Sequence, residues 1–202
     1  AVAPSNGFMC STCHDEANWP ALYTVDAVTF PSGSSVTFGE GKGANLCLQC
    51  HQGRESTTSV NRAIGSFGDD EIALRADGSA ALSFRNVHYF AAGATLFGTD
   101  AKGAYEYEGK EYLGVHPHVA AGFDCSSCHD VHGLEVKVEA CAACHPAVSE
   151  GLEAIRFTQG DFDGDGDDAE GLAGEVETMA EKLYEEIKVY AAENAVGIVY
   201  NP

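Results

Sequence analysis

The eight cysteines of this 202-residue chain fall into four pairs that share one local pattern. Two residues separate the cysteines of each pair, and a histidine directly follows the second cysteine. C-x-x-C-H is the attachment signature of c-type haem, in which two thiols bond to the porphyrin and the histidine binds the iron. The cysteines predicted to attach haem are Cys10, Cys13, Cys47, Cys50, Cys125, Cys128, Cys141 and Cys144, and the predicted proximal iron ligands are His14, His51, His129 and His145.

We number these motifs 1 to 4 in chain order. Two zinc sites with four cysteines each, or a set of disulfides, are the alternatives for eight cysteines. Neither alternative requires a histidine after every second cysteine, whereas all four motifs have one. The sequence therefore predicts four covalently bound haem c groups.

The histidines that remain are equal in number to the predicted irons. A haem iron has a second axial position, which histidine or methionine commonly fills. Met9 precedes Cys10 and is badly placed to reach across its own haem, and Met179 lies on a predicted helix face. The predicted distal ligands are therefore the four spare histidines, His88, His116, His118 and His132. An iron with two histidine ligands has no open position for a substrate, so we predict one-electron transfer rather than an enzyme.

Spacing restricts which iron some of these histidines can reach. His132 follows His129 by three residues, too few to pass round both faces of one porphyrin, so we predict that it ligates a neighbouring haem. Motifs 3 and 4 begin sixteen residues apart, which predicts that their haems are neighbours. Pro117 favours an extended backbone at His116, and in an extended segment His116 and His118 point the same way, about 7 Å apart.

The expected fold class is a multihaem cytochrome c. It is mostly irregular, with few short helices and small β-hairpins packed around a chain of haems, and it has a C-terminal amphipathic helix. Residues 1–150 are predicted to form the tetrahaem core, with 151–202 part of the same domain. Alternating apolar and polar residues predict one hairpin over 23–39, turning at 31–35, and a second over 104–114. Tyrosines at alternate positions of the second hairpin cover a small sheet or an interface, or flank a haem.

The segment 161–175 is rich in carboxylates. Asp161, Asp163 and Asp165 at alternate positions, followed by Gly166, match the first half of an EF-hand calcium loop. Leu172 stands where the bidentate glutamate belongs, so Glu170 or Glu175 would have to substitute. The candidate calcium ligands are Asp161, Asp163, Asp165, Asp167, Glu170 and Glu175; a solvated acidic loop is the alternative. From Leu172 onward, apolar residues at three- and four-residue steps predict a helix of about six turns that ends near 194–197.

Charge and hydropathy restrict the partners and the location. The formal net charge of -20 excludes nucleic acid and an anionic membrane surface as partners. No apolar run approaches the roughly 20 residues that span a bilayer. The first residues, "AVAPSNG", are compatible with a mature start after removal of an export signal. We expect an exported protein, located outside the cell, in the periplasm or on the cell surface.

Several stretches together resemble a known family. With the four motifs, "CLQCHQGRES", "FDCSSCHDVHGLEVKVEACAACHP" and "DFDGDGD" resemble the extracellular tetrahaem cytochromes of the outer-membrane cytochrome E type, which polymerise into filaments. The resemblance implies haems in a continuous chain and a conductive homopolymer in which the next subunit supplies one distal histidine. That histidine would be one of the four spare ones. The expected partners are further copies of the chain, redox proteins and extracellular electron acceptors.

Two other functions are compatible with four haems. One is a soluble tetrahaem electron carrier that remains a monomer in the periplasm or outside the cell. The other is a multihaem reductase, which would need a five-coordinate iron and acid–base groups beside it. The number of spare histidines disfavours the reductase.

Overall fold

The computed structural model describes residues 7–65, 77, 83–88 and 90–194. The first six residues of the predicted mature start therefore lie outside the described residues. The chain divides into two compact units between Ser127 and Cys128, a boundary that falls inside motif 3. Each unit is described by itself.

Loops, short helices and two small antiparallel hairpins make up most of the described chain, as predicted. The strands are β1 (Val28–Thr29), β2 (Ser35–Val36), β3 (His129–Asp130) and β4 (Glu135–Val136). The α-helices are α1 (Asn45–His51), α2 (Thr57–Ile64), α3 (Ala92–Ala101), α4 (Pro117–Ala120), α5 (Cys125–Cys128), α6 (Val138–Ala142) and α7 (Leu172–Glu193). Short 3-10 helices cover Cys10–Thr12, Glu16–Asn18, Pro146–Glu150 and Leu152–Ala154. None of the described helices is long and apolar enough to cross a membrane.

The hairpin predicted over 23–39 is confirmed. Val28 pairs with Val36 and Thr29 pairs with Ser35 in an antiparallel register. Its turn is closed by the Gly33 amide, which donates to the Phe30 carbonyl at 2.8 Å. The valines of the two strands are buried and the residues that alternate with them are exposed, which is the pattern that predicted the hairpin.

The core of the first unit lies between this hairpin, α1 and α3. Phe97 of α3 packs edge-on against Phe30 at 6.4 Å and against Phe38 at 5.1 Å between ring centroids. Leu48, between the two cysteines of motif 2, is fully buried in the same cluster. The core therefore fixes motif 2 directly. The buried members are Val28, Phe30, Val36, Leu48, Ala94, Phe97 and Ala101.

Asn45, the first residue of α1, is hydrogen-bonded to the segments on both sides of the hairpin. Its side chain is fully buried, and Nδ2 donates to the carbonyls of Val25 at 2.9 Å and Gly39 at 2.9 Å. Its Oδ1 accepts from the amide of Phe38 at 2.8 Å. The side-chain amide thus satisfies backbone groups that would otherwise be buried without partners.

The second predicted hairpin, over 104–114, is wrong. A turn forms at its centre, where the Lys110 amide donates to the Tyr107 carbonyl at 3.2 Å, but the described residues 104–114 contain no strand. Side chains take the place of the ladder. The Tyr112 hydroxyl accepts from the Tyr107 amide at 2.8 Å, and the Tyr105 hydroxyl donates to Asn61 of α2 at 2.7 Å.

The extended segment in which His116 and His118 were predicted to point the same way is also wrong. His116 has extended backbone angles, as expected before proline, but Pro117 is the first residue of α4. The segment is held by the His116 amide, which donates to the Leu96 carbonyl at 2.8 Å. A close approach at Gly98 accompanies this contact, because a Cβ there would lie 2.0 Å from the Gly114 carbonyl oxygen.

Helix α7 of the second unit covers the segment whose apolar spacing predicts a helix, and Asn194 is its C-cap. Its first turn is fixed by Glu175, which is fully buried and forms an ion pair of 2.7 Å with Arg156. The apolar stripe that defines the helix is exposed. It consists of Leu172, Val176, Met179, Leu183, Ile187 and Tyr190.

Apolar side chains are more often exposed than buried in the described part of the chain. Ten apolar residues are buried, whereas 28 large apolar side chains are exposed. Phe84, Phe90 and Phe157 are each at least 75% exposed. Soluble proteins seldom leave so much apolar surface without a covering group or partner.

Replacing Asn45 tests whether its amide holds motif 2 in place. We expect Asn45→Ala to lower the free energy of unfolding by about 3 kcal/mol, because several buried backbone groups lose their partners. Asn45→Asp keeps the shape and the acceptor but loses the donors, and it should have a similar cost. Denaturant unfolding followed by circular dichroism measures both. The control is Asn18→Ala, which removes one exposed hydrogen bond to Asp15; equal destabilisation by Asn18→Ala and Asn45→Ala would contradict the assignment.

Candidate functional site

The two cysteines of each C-x-x-C-H motif lie in one helical turn. In motif 1 the His14 amide donates to the Cys10 carbonyl at 2.9 Å, and in motif 4 the His145 amide donates to the Cys141 carbonyl at 2.9 Å. Motif 2 lies within α1, and the two cysteines of motif 3 bound α5. Residues i, i+3 and i+4 of a helix lie on one face. Motifs 1, 2 and 4 therefore place two free thiols and an imidazole side by side, the arrangement that one porphyrin edge and its iron require, whereas His129 of motif 3 follows its turn as the first residue of β3.

Two of the predicted proximal histidines are oriented by backbone carbonyls. Nδ1 of His14 lies 2.7 Å from the Pro20 oxygen, and Nδ1 of His51 lies 2.5 Å from the Phe90 oxygen. A carbonyl can only accept, so the proton of each neutral ring is on Nδ1. The unprotonated Nε2 lies at the other edge of the ring, away from the carbonyl. This is the usual arrangement behind a metal-binding histidine.

Aromatic side chains lie beside two of the proximal imidazoles. The Trp19 ring is 4.7 Å from the His14 ring, and the Phe157 ring is 6.5 Å from the His145 ring, between centroids. A backbone bridge pairs His14 with Leu22 and closes the loop that contains Trp19. Local loops thus restrict the orientation of these imidazoles.

The first cysteines of motifs 2 and 3 are in contact. A hydrogen bond from the Cys125 thiol lowers the pKa of Cys47 to about 6, against the effect of burial. The same hydrogen bond, together with burial, raises the pKa of Cys125. Cys47 and Cys125, which are far apart in sequence, are therefore close together in the first unit.

His88, His116 and His118, three of the predicted distal ligands, lie in the first unit. His88 is in the loop that follows Arg85 and has a positive φ of 73°. The rings of His116 and His118 are 4.9 Å apart, closer than predicted. Nδ1 of His116 accepts from the His118 amide at 3.2 Å and caps α4, so the proton of a neutral His116 is on Nε2. Iron binding by Nε2 of His116 would require this cap to open.

His132 is at the tip of the hairpin formed by β3 and β4. His129 pairs with Val136 in this hairpin, and the Asp130 carboxylate accepts from the amides of His132 at 3.0 Å and Gly133 at 3.1 Å. These hydrogen bonds lower the pKa of Asp130. This hairpin was not predicted, although an Asp followed three residues later by Gly is a turn signal.

The acidic segment forms a loop of the kind that the sequence predicts. The Asp161 carboxylate accepts from the amide of Gly166 at 2.9 Å, and Gly166 has a φ of 100°. The loop contains two groups of carboxylates, and within each group the oxygens lie within 4.8 Å of one another. One group is from Asp161, Asp163 and Glu175, and the other is from Asp163, Asp165 and Glu170.

Glu170 and Glu175 differ in how their oxygens are used. Oε2 of Glu175 accepts from the amides of Phe162 at 2.8 Å and Asp163 at 2.9 Å, while Oε1 pairs with Arg156. Burial raises the pKa of Glu175, but Arg156 and the two amides outweigh it and hold the pKa below its ordinary value. Burial and four neighbouring carboxylates raise the pKa of Glu170. Its Oε1 and Oδ2 of Asp163 are buried and have no hydrogen-bond partner among the described residues.

Curated relatives of the chain are multihaem proteins. It is 29% identical over 145 residues to the C-type polyheme cytochrome OmcC of Geobacter sulfurreducens, an alignment that covers 59% of this chain and 17% of that protein. It is 28% identical over 145 residues to the C-type polyheme cytochrome OmcB of the same organism, covering 59% of this chain and 18% of that protein. This similarity supports a multihaem c-type cytochrome.

The chain spans less than a fifth of the length of these relatives. No family model matches it. No solved structure matches it either.

Proposed function

We propose that this chain is an exported tetrahaem c-type cytochrome that transfers electrons and polymerises head to tail into a conductive extracellular filament. The observation that carries the proposal is the helical turn that holds the two thiols of every motif, with the imidazole on the same face in motifs 1, 2 and 4. The names of the relatives, both C-type polyheme cytochromes, favour the same chemistry.

In each site the thiols would tether a haem and the imidazole of the same motif would bind its iron. Bound haem would supply the one-electron chemistry of the iron. The Pro20 and Phe90 carbonyls keep Nε2 of His14 and His51 in the form that can bind a metal. We assign the four spare histidines to the second axial positions, which leaves no open site for a substrate and makes catalysis at the metal unfavourable.

The exposed apolar surface supports a haem-filled interior. The described chain buries ten apolar residues and exposes 28 large ones, more than its own packing can cover. Four porphyrins would cover apolar side chains near the motifs, among them Trp19 beside His14 and Phe157 beside His145. The group that carries electrons would then also complete the core.

Two relations between the motifs support a continuous chain of haems. The interaction between Cys47 and Cys125 favours neighbouring second and third haems, because each thiol would be bonded to the edge of its porphyrin. Motifs 3 and 4 begin sixteen residues apart, which favours neighbouring third and fourth haems. We propose the order 2–3–4 on these two grounds.

The filament is supported by the family resemblance of the motif segments. A distal histidine supplied to the next copy is a head-to-tail contact, and such contacts generate open filaments when the rotation does not close. The net charge of -20 and covalent haem attachment favour a location outside the cytoplasm. Redox proteins and extracellular electron acceptors are the proposed partners beyond the filament itself.

We assign calcium to the acidic loop of the second unit. The ion would be bound by carboxylates of Asp161, Asp163, Asp165 and Glu170, with Asp167 next in the loop. The buried oxygens of Asp163 and Glu170 that lack partners fit a cation. Glu175 is the weaker candidate because Arg156 and two amides already engage it.

Haem number and ligation are tested with His132→Ala in the mature protein. Intact mass should show four haems in the wild type and in the variant, because His132 attaches none. The variant should contain one five-coordinate haem by electron paramagnetic resonance, since one iron loses its second imidazole. Four six-coordinate haems in the variant would contradict the assignment of His132, and fewer than four haems in the wild type would contradict the proposed cofactor content.

The filament is tested by negative-stain microscopy of the mature protein over a range of concentration and pH. We expect filaments that shorten in high concentrations of free imidazole, because imidazole competes for the iron that binds the next subunit's histidine. Sodium chloride at equal ionic strength is the control. Small discrete particles under every condition would favour the soluble carrier, and a five-coordinate haem in the intact wild-type assembly would favour the reductase.

The calcium site is tested by isothermal titration of the mature protein with calcium. Glu170→Gln should weaken binding at least about tenfold, because it removes a charged ligand. Glu177→Gln on α7 is the matched control, since Glu177 is exposed and outside both carboxylate groups. Equal affinities of the two variants, or no binding by the wild type, would support a solvated acidic loop.

A further inference from the structure

The loop that carries His88 packs against the end of motif 2. The Arg54 amide, three residues after His51, donates to the Val87 carbonyl at 3.0 Å. A Cβ at Gly53 would lie 2.8 Å from Cγ2 of Val87 and 3.2 Å from its carbonyl oxygen, so the two segments pack closely there. The Phe90 carbonyl then accepts from Nδ1 of His51 at 2.5 Å. Contacts on both sides of His88 thus fix its position relative to His51.

The contact between Phe90 and His51 defines a side of the second haem. Nδ1 and Nε2 lie at different edges of the imidazole ring, and Nδ1 carries the proton because its partner can only accept. Iron binds at Nε2, so the Phe90 carbonyl is behind the proximal imidazole, away from the iron. The loop therefore lies on the proximal side of this haem, whereas a distal ligand must approach from the opposite face.

His88 cannot reach that opposite face from its position in the loop. It is two residues before Phe90, and two residues of extended chain span at most about 7 Å. A porphyrin lies between the two faces, so the side chain would have to pass round its edge. The Asn86 side chain also accepts from the His88 amide at 2.8 Å, which restrains the backbone at His88.

The backbone at His88 is strained, as it often is where a side chain has a specific task. His88 has a φ of 73° and Phe90 a φ of 57°, both in the left-handed region that costs free energy for residues other than glycine.

We infer that His88 ligates the iron of a haem other than the one attached at Cys47, Cys50 and His51. The loop then links two haems, with its backbone holding the proximal ligand of one and its imidazole binding the iron of another. This inference rests on the proposed bis-histidine ligation. The distal ligand of the second haem is then one of the other spare histidines.

The test combines removal of His88 with removal of one haem at a time. His88→Asn removes the imidazole with a residue that tolerates positive φ. Intact mass gives the haem number, and electron paramagnetic resonance gives the number of five-coordinate irons. The single variant should keep four haems with one five-coordinate. With Cys47→Ala and Cys50→Ala added, three haems should remain and one should still be five-coordinate.

The other motifs provide the matched controls. In these variants the first, third or fourth haem is removed from His88→Asn by replacing both cysteines of its motif with alanine. One of the three removals should abolish the five-coordinate signal, because it removes the haem whose iron His88 binds. Free imidazole should restore six-coordination in the single variant. If the variant that lacks the second haem does not mature, the three variants that lack the first, third or fourth haem decide the question.

Two results would overturn the inference. One is four six-coordinate haems in His88→Asn, which would show that His88 is no ligand. The other is a five-coordinate signal that disappears on loss of the second haem or persists on loss of each of the other three. A wild-type protein without four covalent haems would instead contradict the proposed function.

Discussion

The spacing of one helical turn is the constraint on which the rest of this structure depends. Residues i, i+3 and i+4 share a face, so C-x-x-C-H within a turn brings two thiols and an imidazole together without any help from tertiary structure. Motifs 1, 2 and 4 contain the histidine within this turn, whereas in motif 3 the turn ends at Cys128 and His129 begins β3. Motif 2 is part of a helix seated in the core by Leu48, whereas motif 1 is a short 3-10 turn closed by a loop. The local chemistry is constant while its supports differ.

Those supports come from segments that are distant in sequence. Pro20 is six residues from the His14 ring that it orients, but Phe90 is far along the chain from His51. A carbonyl acceptor has the same effect in both cases, because it fixes the tautomer and leaves Nε2 unprotonated. Irregular backbone suits this task, since a loop can present a carbonyl that a helix or strand would use in its own hydrogen bonds.

Local signals in the sequence predicted local structure well. The hairpin from β1 to β2 follows from alternation around a proline–glycine turn, and its core-facing valines are those that the pattern indicates. Where side chains compete with the backbone, prediction failed. Tyr112 and Tyr105 use their hydroxyls in place of a strand ladder, and Pro117 starts a helix although it also favours the extended residue before it. The local turns of the cysteines could be predicted from their spacing, but the residues that contact the motifs from distant parts of the chain could not.

Asn45 shows how a structural requirement can imitate a functional one. Its amide donates to carbonyls before and after the hairpin and accepts from an amide, so neither a shorter nor a charged side chain reproduces all of these contacts. It stands two residues before the first cysteine of motif 2, where an evolutionary comparison would group it with the haem-binding residues. Chains that retain this hairpin and helix are expected to retain asparagine there for stereochemical reasons alone. Invariance beside a cofactor motif is then a record of folding rather than of chemistry.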